Sequence, residues 1–325
     1  MGEYWLRPAA CLVAFCLLFA CAVGLGVGYH AVPPILGYAI VFARTLALVL
    51  SLYLFWHIIA LRGAPRPTRV LIEKLKIHRR EAASVAIGIT LVLLQLAALT
   101  WAKPTLPEVA GFWADPFLAN ADAVIFGTDP WRLAHSVFGS QNAVIDYVYG
   151  GWFFVILGSL FLTFVSKGQG KARVIITYFL TVTLGILTQY ALPSAGPIFY
   201  SQTGHGARFA QLIPEIPELA TKGSGYLWGC YIGVRQCTAG WGISAWPSMH
   251  VALATWVVIS AASLKRALLP IAAVWWCFIF VGSIYLGWHY FLDGAAGLLL
   301  AAMAWAVQRP ASVAIAALKP RFAGS

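Results

Sequence analysis

The sequence predicts an all-α, polytopic membrane protein with about eight transmembrane helices. Composition is the first ground: of 325 residues, 61% are hydrophobic and only 10% charged, with a mean hydropathy of +0.80. A water-soluble domain carries roughly 25% charged residues. Length is the second, because several segments exceed the ~18 apolar residues that read as a membrane-crossing helix. Pattern is the third: the apolar runs are continuous rather than alternating, which excludes a transmembrane barrel.

In chain order the spans fall at about 9–29, 35–61, 83–102, 147–166, 172–192, 249–264, 267–288 and 290–308. The first, with Arg7 before it, is longer than the roughly 7–15-residue core of a secretory signal and reads as a span. The connectors then set the orientation. The stretch 62–81 carries Arg62, Arg66, Arg69, Lys74, Lys76, Arg79 and Arg80. Lys167, Lys171, Arg173, Lys265, Arg266 and the tail's Arg309, Lys319 and Arg321 fall on the same side. The opposite side holds only Lys103, Arg132, Arg208, Lys222 and Arg235, and most of the acids. Basic residues stay cytoplasmic, so both termini are cytoplasmic and the long connectors 103–146 and 193–248 face outward. The net charge of +11 is therefore a matter of topology and not of nucleic-acid binding, with the bilayer as the partner.

Two units follow: 1–82, an N-terminal two-helix hairpin with its basic cytoplasmic loop, and 83–325, the main membrane domain. In the outward connector 103–146, apolar residues recur at helical spacing around acids in "PFLANADAVIFGTDPWRLAHSVF". They predict amphipathic helices at the membrane surface, broken at "GTDP". The connector 193–248 is rich in Gly, Pro and aromatics, and a long loop of that kind is usually functional. Within it Cys230 and Cys237 lie seven apart on the oxidising side, which predicts a disulfide. Cys11, Cys16, Cys21 and Cys277 sit inside apolar spans and read as small core residues.

The chemistry-bearing residues cluster at two outward helix ends. In "WPSMHV", Ser248 reads as a helix cap with His250 in the first turn, where free backbone N–H groups favour anions. In "YLGWHYFLDGAAG", His289 and Asp293 stand at i and i+4, hence on one helical face. An Asp there accepts one ring N–H and leaves the other nitrogen free to attack. Ionisable groups at the ends of apolar helices are costly and mark function. The topology brings both histidines to one face.

"PSMH" followed by "HYFLD" resembles the second and third signature motifs of the type 2 phosphatidic acid phosphatase superfamily, over roughly residues 147–308. That resemblance implies a six-helix core within 83–325 and a phosphatase or phosphotransferase that needs no cofactor and no metal. It implies His289 as the nucleophile that forms a phosphohistidine, Asp293 as its support, and His250 as general acid and then base. The chain departs from the family wording in three places. The first motif, a Lys followed by Arg-Pro, is absent, Gly282 and Ser283 stand where the third motif begins Ser-Arg, and Met249 replaces a glycine. "ADAVIFGTDPWRLAH" and "LPSAGPIFY" are similar to segments of the branch containing fungal inositol phosphorylceramide synthases and their bacterial relatives, which transfer phosphorylated headgroups between lipids.

With two basic grips missing, Arg208 and Arg235 are the favoured phosphate ligands, with His205 behind them. Ser248 and the amides of Met249 and His250 are further donors, and the resemblance further implies that "SAGP", with Gly196, shapes the pocket wall and that Tyr200 lies near the headgroup. The expected function is transfer of a phosphoryl headgroup from a lipid or polyprenyl phosphate to a lipid or polyol alcohol. The alternative is hydrolysis, with water as acceptor. The expected setting is a bacterial inner membrane with the site facing the periplasm. Two readings from other classes are a non-catalytic transporter or scaffold, and a zinc site built from His250, His289 and Asp293.

Overall fold

A computed structural model of the chain describes residues 4–28, 34–60 and 79–308, apart from 169, 236, 238 and 239, together with Arg62, Arg69 and Glu73. The connector's Arg66, Lys74 and Lys76 and the tail's Arg309, Lys319 and Arg321 lie outside the described residues. Among the described residues every regular element is helical. The N-terminal part is α1 (Leu6–Gly26), α2 (Ile35–Ala60) and α3 (Arg79–Ala102). A 3-10 turn at Lys103–Thr105 leads into the outer segment: α4 (Leu106–Ala110), α5 (Ala114–Phe126) and α6 (Pro130–Phe138). Then come α7 (Ala143–Gly150), α8 (Trp152–Val165), α9 (Lys171–Thr188), α10 (Glu218–Tyr231), α11 (Met249–Leu264), α12 (Leu269–Tyr285) and α13 (Phe291–Ala306).

Helices occupy all eight expected positions, but their lengths differ from eight full crossings. Among the described residues four stretches are long and apolar enough to span a bilayer: Leu6–Gly26, Glu81–Ala110, Lys171–Thr188 and Arg266–Tyr285. The bent pair α7–α8 makes a fifth. Helices α11 and α13 have 16 residues each, about 24 Å of rise against a hydrocarbon core of ~30 Å. The expected span at 147–166 is broken, with a 40° bend at Gly151. Two successive glycines weaken the helix there. Gly150 lies against the end of the Leu219 side chain, 2.7 Å from where a Cβ on it would be. The new start is fixed by Asn142, whose Oδ1 accepts from the amides of Val144 and Ile145.

The membrane core is built by α1, α3 and α9 on one side and α9, α11, α12 and α13 on the other. The Gln95 amide donates to the Phe179 carbonyl (2.8 Å) and the Thr183 hydroxyl (3.0 Å), with Cys16 beside Thr183, whereas Gln95 Oε1 and the Tyr178 and Thr181 hydroxyls have no hydrogen-bond partner among the described residues. Helices α11 and α13 meet closely near their N-terminal ends, because Gly297 has no side chain to strike the Ser248 carbonyl. That approach places the starts of both helices, and so both motif histidines, side by side.

The two long connectors, 103–146 and 193–248, form one packed layer. Leu106, Phe112, Leu118 and Trp131 of the first share a buried cluster with Phe199, Tyr200, Phe209 and Ile243 of the second. The break expected at "GTDP" is present, since α5 ends against left-handed Gly127 (φ 72°) and α6 begins at Pro130. The buried face of α5 differs from a simple amphipathic one, because it carries Asp115 and Asp122 as well as Leu118, while Phe117, Val124 and Ile125 are exposed. Those acids are buried because they satisfy backbone amides of other elements.

Candidate active site

His250 is the second residue of α11. Ser248 caps that helix through its hydroxyl, which accepts from the Val251 amide at 3.3 Å, while its own amide donates to the Asp293 carbonyl at 2.9 Å. The His250 ring is held by aromatics from both sides of the α7–α8 break. Tyr149 stacks on it at 4.7 Å with 22° between planes, and Trp152 lies at 4.3 Å. Room for Tyr149 comes from Gly282, where a Cβ would crowd the Tyr149 ring at 3.2 Å. Met249 fills the space over Gly185, its sulfur where a Cβ on that glycine would be.

His289 does not lie within a helix, a difference from the i, i+4 expectation. The chain turns at Gly287 (φ 72°), and α13 begins only at Phe291. Asp293 is the third residue of that helix, and its Oδ2 accepts from the Tyr290 amide at 2.9 Å in a reciprocal capping arrangement. The same oxygen is 3.6 Å from His289 Nδ1, whereas the Ala245 carbonyl is 2.9 Å from it. A carbonyl oxygen only accepts, so Nδ1 carries a proton, and in the neutral ring Nε2 is the nitrogen with the lone pair. The ring is therefore held chiefly by a backbone carbonyl, with the carboxylate beside it as a nearby charge. Asp293 is fully buried, and its Oδ1 has no hydrogen-bond partner among the described residues.

The ring centroids of His250 and His289 are 5.6 Å apart. Both line a cavity of about 550 Å³, with Tyr149, Trp288, Met249 and Lys103. Part of its lining is apolar: Val41 of α2, Leu96 and Leu99 of α3, and Phe153 of α8. Tyr38 ties that part together, bonding Thr100 through its hydroxyl and accepting from the Gly240 amide at 3.1 Å.

The outer acids position this site. Asp115, fully buried, accepts from the amides of Ala195 (2.8 Å) and Gly196 (2.9 Å) and from the Tyr290 hydroxyl (2.8 Å). Asp122 accepts from the amides of Phe291 (2.7 Å) and Leu292 (3.2 Å), capping α13 from outside. Burial pushes both carboxyls up to about 6, against the opposing pull of these hydrogen bonds. Gly196 (φ 98°, ψ 161°) lets its loop pass against the backbone at 288, since a Cβ would land on the Trp288 carbonyl oxygen.

The favoured phosphate ligands lie elsewhere. Arg208 is occupied by Asp129 (2.7 and 2.9 Å), Asn120 (2.6 Å) and the Ala119 carbonyl (2.9 Å), and does not line the cavity. Arg235 is exposed and lies against Gly229 in the loop closed by the Cys230–Cys237 disulfide, whose Cα atoms are 5.8 Å apart. Tyr200 is buried among Phe209 (5.0 Å) and His205 (5.4 Å), away from the cavity, and His205 Nε2 donates to the Phe112 carbonyl at 2.9 Å. Ser248 and Gly196 shape the site's backbone without lining it, whereas Met249 does line it. Among the described residues, no three of His, Cys, Asp and Glu converge as a group that could hold a metal ion.

The fold and site define an all-helical membrane protein with two histidines at the polar end of an apolar cavity. The family model of the PAP2 superfamily matches residues 126–307, more than half the chain, and the chain belongs to that superfamily. No curated protein and no solved structure matches it. Membership supports phosphatase- or phosphotransferase-type chemistry on a lipid phosphate in a bilayer.

Proposed function

We propose that the protein is a lipid phosphotransferase that moves a phosphoryl headgroup from a lipid or polyprenyl donor to an alcohol. The observation that carries the proposal is the 2.9 Å bond from His289 Nδ1 to the Ala245 carbonyl, which leaves Nε2 unprotonated at the cavity shared with His250. Nε2 attacks phosphorus; the N–P bond forms as the bond to the leaving oxygen breaks, and His250 gives that oxygen its proton. An acceptor alcohol then binds, His250 takes its proton, and the alkoxide displaces His289 to restore the resting enzyme. Asp293, 3.6 Å from Nδ1, stabilises the positive charge that grows on the ring.

Transfer is favoured over hydrolysis because one Lys and no Arg lines the cavity. A single cation suits the single charge of a phosphodiester better than the dianion of a monoester. The apolar wall of Val41, Leu96, Leu99 and Phe153 suits the acyl or prenyl chain of a donor arriving sideways from the bilayer. The charge asymmetry of the connectors favours a site facing the periplasm of a bacterial inner membrane, with cytoplasmic termini. The test is purified protein with headgroup-labelled phospholipid, with and without ceramide, diacylglycerol or polyprenol. Label that moves only when acceptor is present supports transfer; labelled phosphoryl headgroup released into water without acceptor replaces it with hydrolysis.

A further inference from the structure

We infer that Lys103, outside the region matched to the family, is the cation that grips the phosphoryl group in the cavity; this rests on the function proposed above. Two residues at the start of the third motif supply no charge: Gly282 is filled by the Tyr149 ring, and the Ser283 hydroxyl donates to the Phe280 carbonyl at 2.7 Å. Arg208 is consumed by Asp129, and Arg235 lies outside the cavity. Among the described lining residues, Lys103 is the one Lys or Arg. The one acid among the described lining residues is Asp146, and its Oδ2 already accepts from the Leu219 amide at 2.9 Å. Lys103 has no ion-pair partner among the described residues and lines the same cavity as His250.

Its position is built by close contacts. Lys103 opens the 3-10 turn after α3, where the Thr105 and Tyr190 hydroxyls donate to the Ala102 carbonyl at 2.7 and 2.9 Å. Gly242 (φ 100°) passes over it so tightly that a Cβ would come within 2.5 Å of the Lys103 Cβ. The same loop ends at Ala245, whose carbonyl holds His289. One backbone segment thus registers the cation against the ring. An unpaired ammonium at the edge of an apolar membrane cavity is costly unless an anion joins it there. The chemistry it fits is an oxyanion of phosphorus seated between Lys103, His250 and His289, with its hydrocarbon chain along Leu96 and Leu99.

Inorganic phosphate is the probe, and purified full-length protein in detergent is the sample. Phosphate raises the thermal midpoint of the wild type, and Lys103→Met shifts the concentration needed upward by about ten- to hundredfold, the loss of one charge-assisted bond. Lys222→Met, which removes an equal charge from an exposed Glu218 pair, leaves the phosphate response unchanged. With a labelled lipid donor, the loss falls mainly on KM. Should Lys103→Met not survive purification, wild-type protein decides: reductive methylation of Lys103, read by peptide mass, is slowed by phosphate while that of Lys222 is not. Lys103 that labels equally with and without phosphate, or does not label at all, overturns the inference, as does a Lys103→Met protein with wild-type phosphate response. His289→Ala separates the two claims. If it loses turnover while Lys103→Met changes nothing, only the cation assignment fails; if it keeps turnover, the reaction proposed above fails.

Discussion

Gly196→Ala is the sharpest structural perturbation of the site that touches no titratable group. The native backbone at φ 98° and ψ 161° is a region that only glycine occupies without strain, at a cost of about 1–3 kcal/mol for another residue. The new Cβ would also land on the Trp288 carbonyl oxygen and lie 3.3 Å from the Ala245 Cβ. Neither neighbour is the free end of a flexible side chain, so backbone must move, which adds about 1–3 kcal/mol of overpacking. The expected total is about 2–6 kcal/mol. The displaced segments are those that hold His289, from Trp288 before it and Ala245 against its ring. A shift of ~1 Å there costs about a hundredfold in rate.

Gly204→Ala is the matched control in the same connector: its φ is 87°, but no atom lies within 4 Å of the added Cβ. The assay is the thermal midpoint in detergent together with lipid-donor turnover for both variants. Gly204→Ala loses only the backbone term and keeps its rate; Gly196→Ala loses both. Equal behaviour of the two would refute the claim that close approach at 196 registers the catalytic loop.

Three further outcomes follow from the same geometry. Asp115 titrates near 3.8 unfolded and near 6 folded, so the folded state binds its proton more tightly. The stability it contributes is full below about 3.8 and lost as pH rises through about 6; the loss totals about 3 kcal/mol, of which roughly 1.3 falls between pH 5 and 7. Asp115→Asn therefore flattens the fall in thermal midpoint between those pH values, and an unchanged slope would count against the buried-carboxyl account. Asp122→Ala removes the cap from α13 and costs about 0.5–2 kcal/mol, read from the same melts; no loss would mean that the 2.7 and 3.2 Å bonds to Phe291 and Leu292 contribute nothing. Cys230→Ser with Cys237→Ser opens a loop of sequence separation 7 and lowers stability by about 2.5 kcal/mol, a loss that reductant reproduces in the wild type but not in the double variant.

Much of the fold was legible because apolarity is a local signal. Eight runs of hydrophobic residues became eight helical positions, and the break at "GTDP" falls where Gly127 and Pro130 require it. The lengths were less legible: the two glycines at 150–151 split one run, and α13, capped at Tyr290, has only 16 residues, while α11 runs over 249–264 as expected. Of the site, the motif histidines could be brought to one face by topology alone. Their supports could not. The Ala245 carbonyl is backbone and leaves no trace in residue identity. Asp115 and Asp122 show as acids on an amphipathic pattern, but their partners lie 80 and 169 residues away. Arg208 was favoured because a sequence gives the sign of a charge and not the acid that already holds it, here Asp129. The turn ahead of His289 did have a signal, Gly287, which the i, i+4 reading passed over.

The central claim is that His289 Nε2 becomes bonded to phosphorus during turnover. The direct measurement is peptide mass analysis after rapid alkaline quenching of the enzyme with phosphoryl-labelled donor and no acceptor. The account predicts an acid-labile, alkali-stable label on the peptide containing His289, absent from His289→Ala and discharged when acceptor alcohol is added. Steady turnover in the His289→Ala protein, or label carried on any other residue, would contradict it.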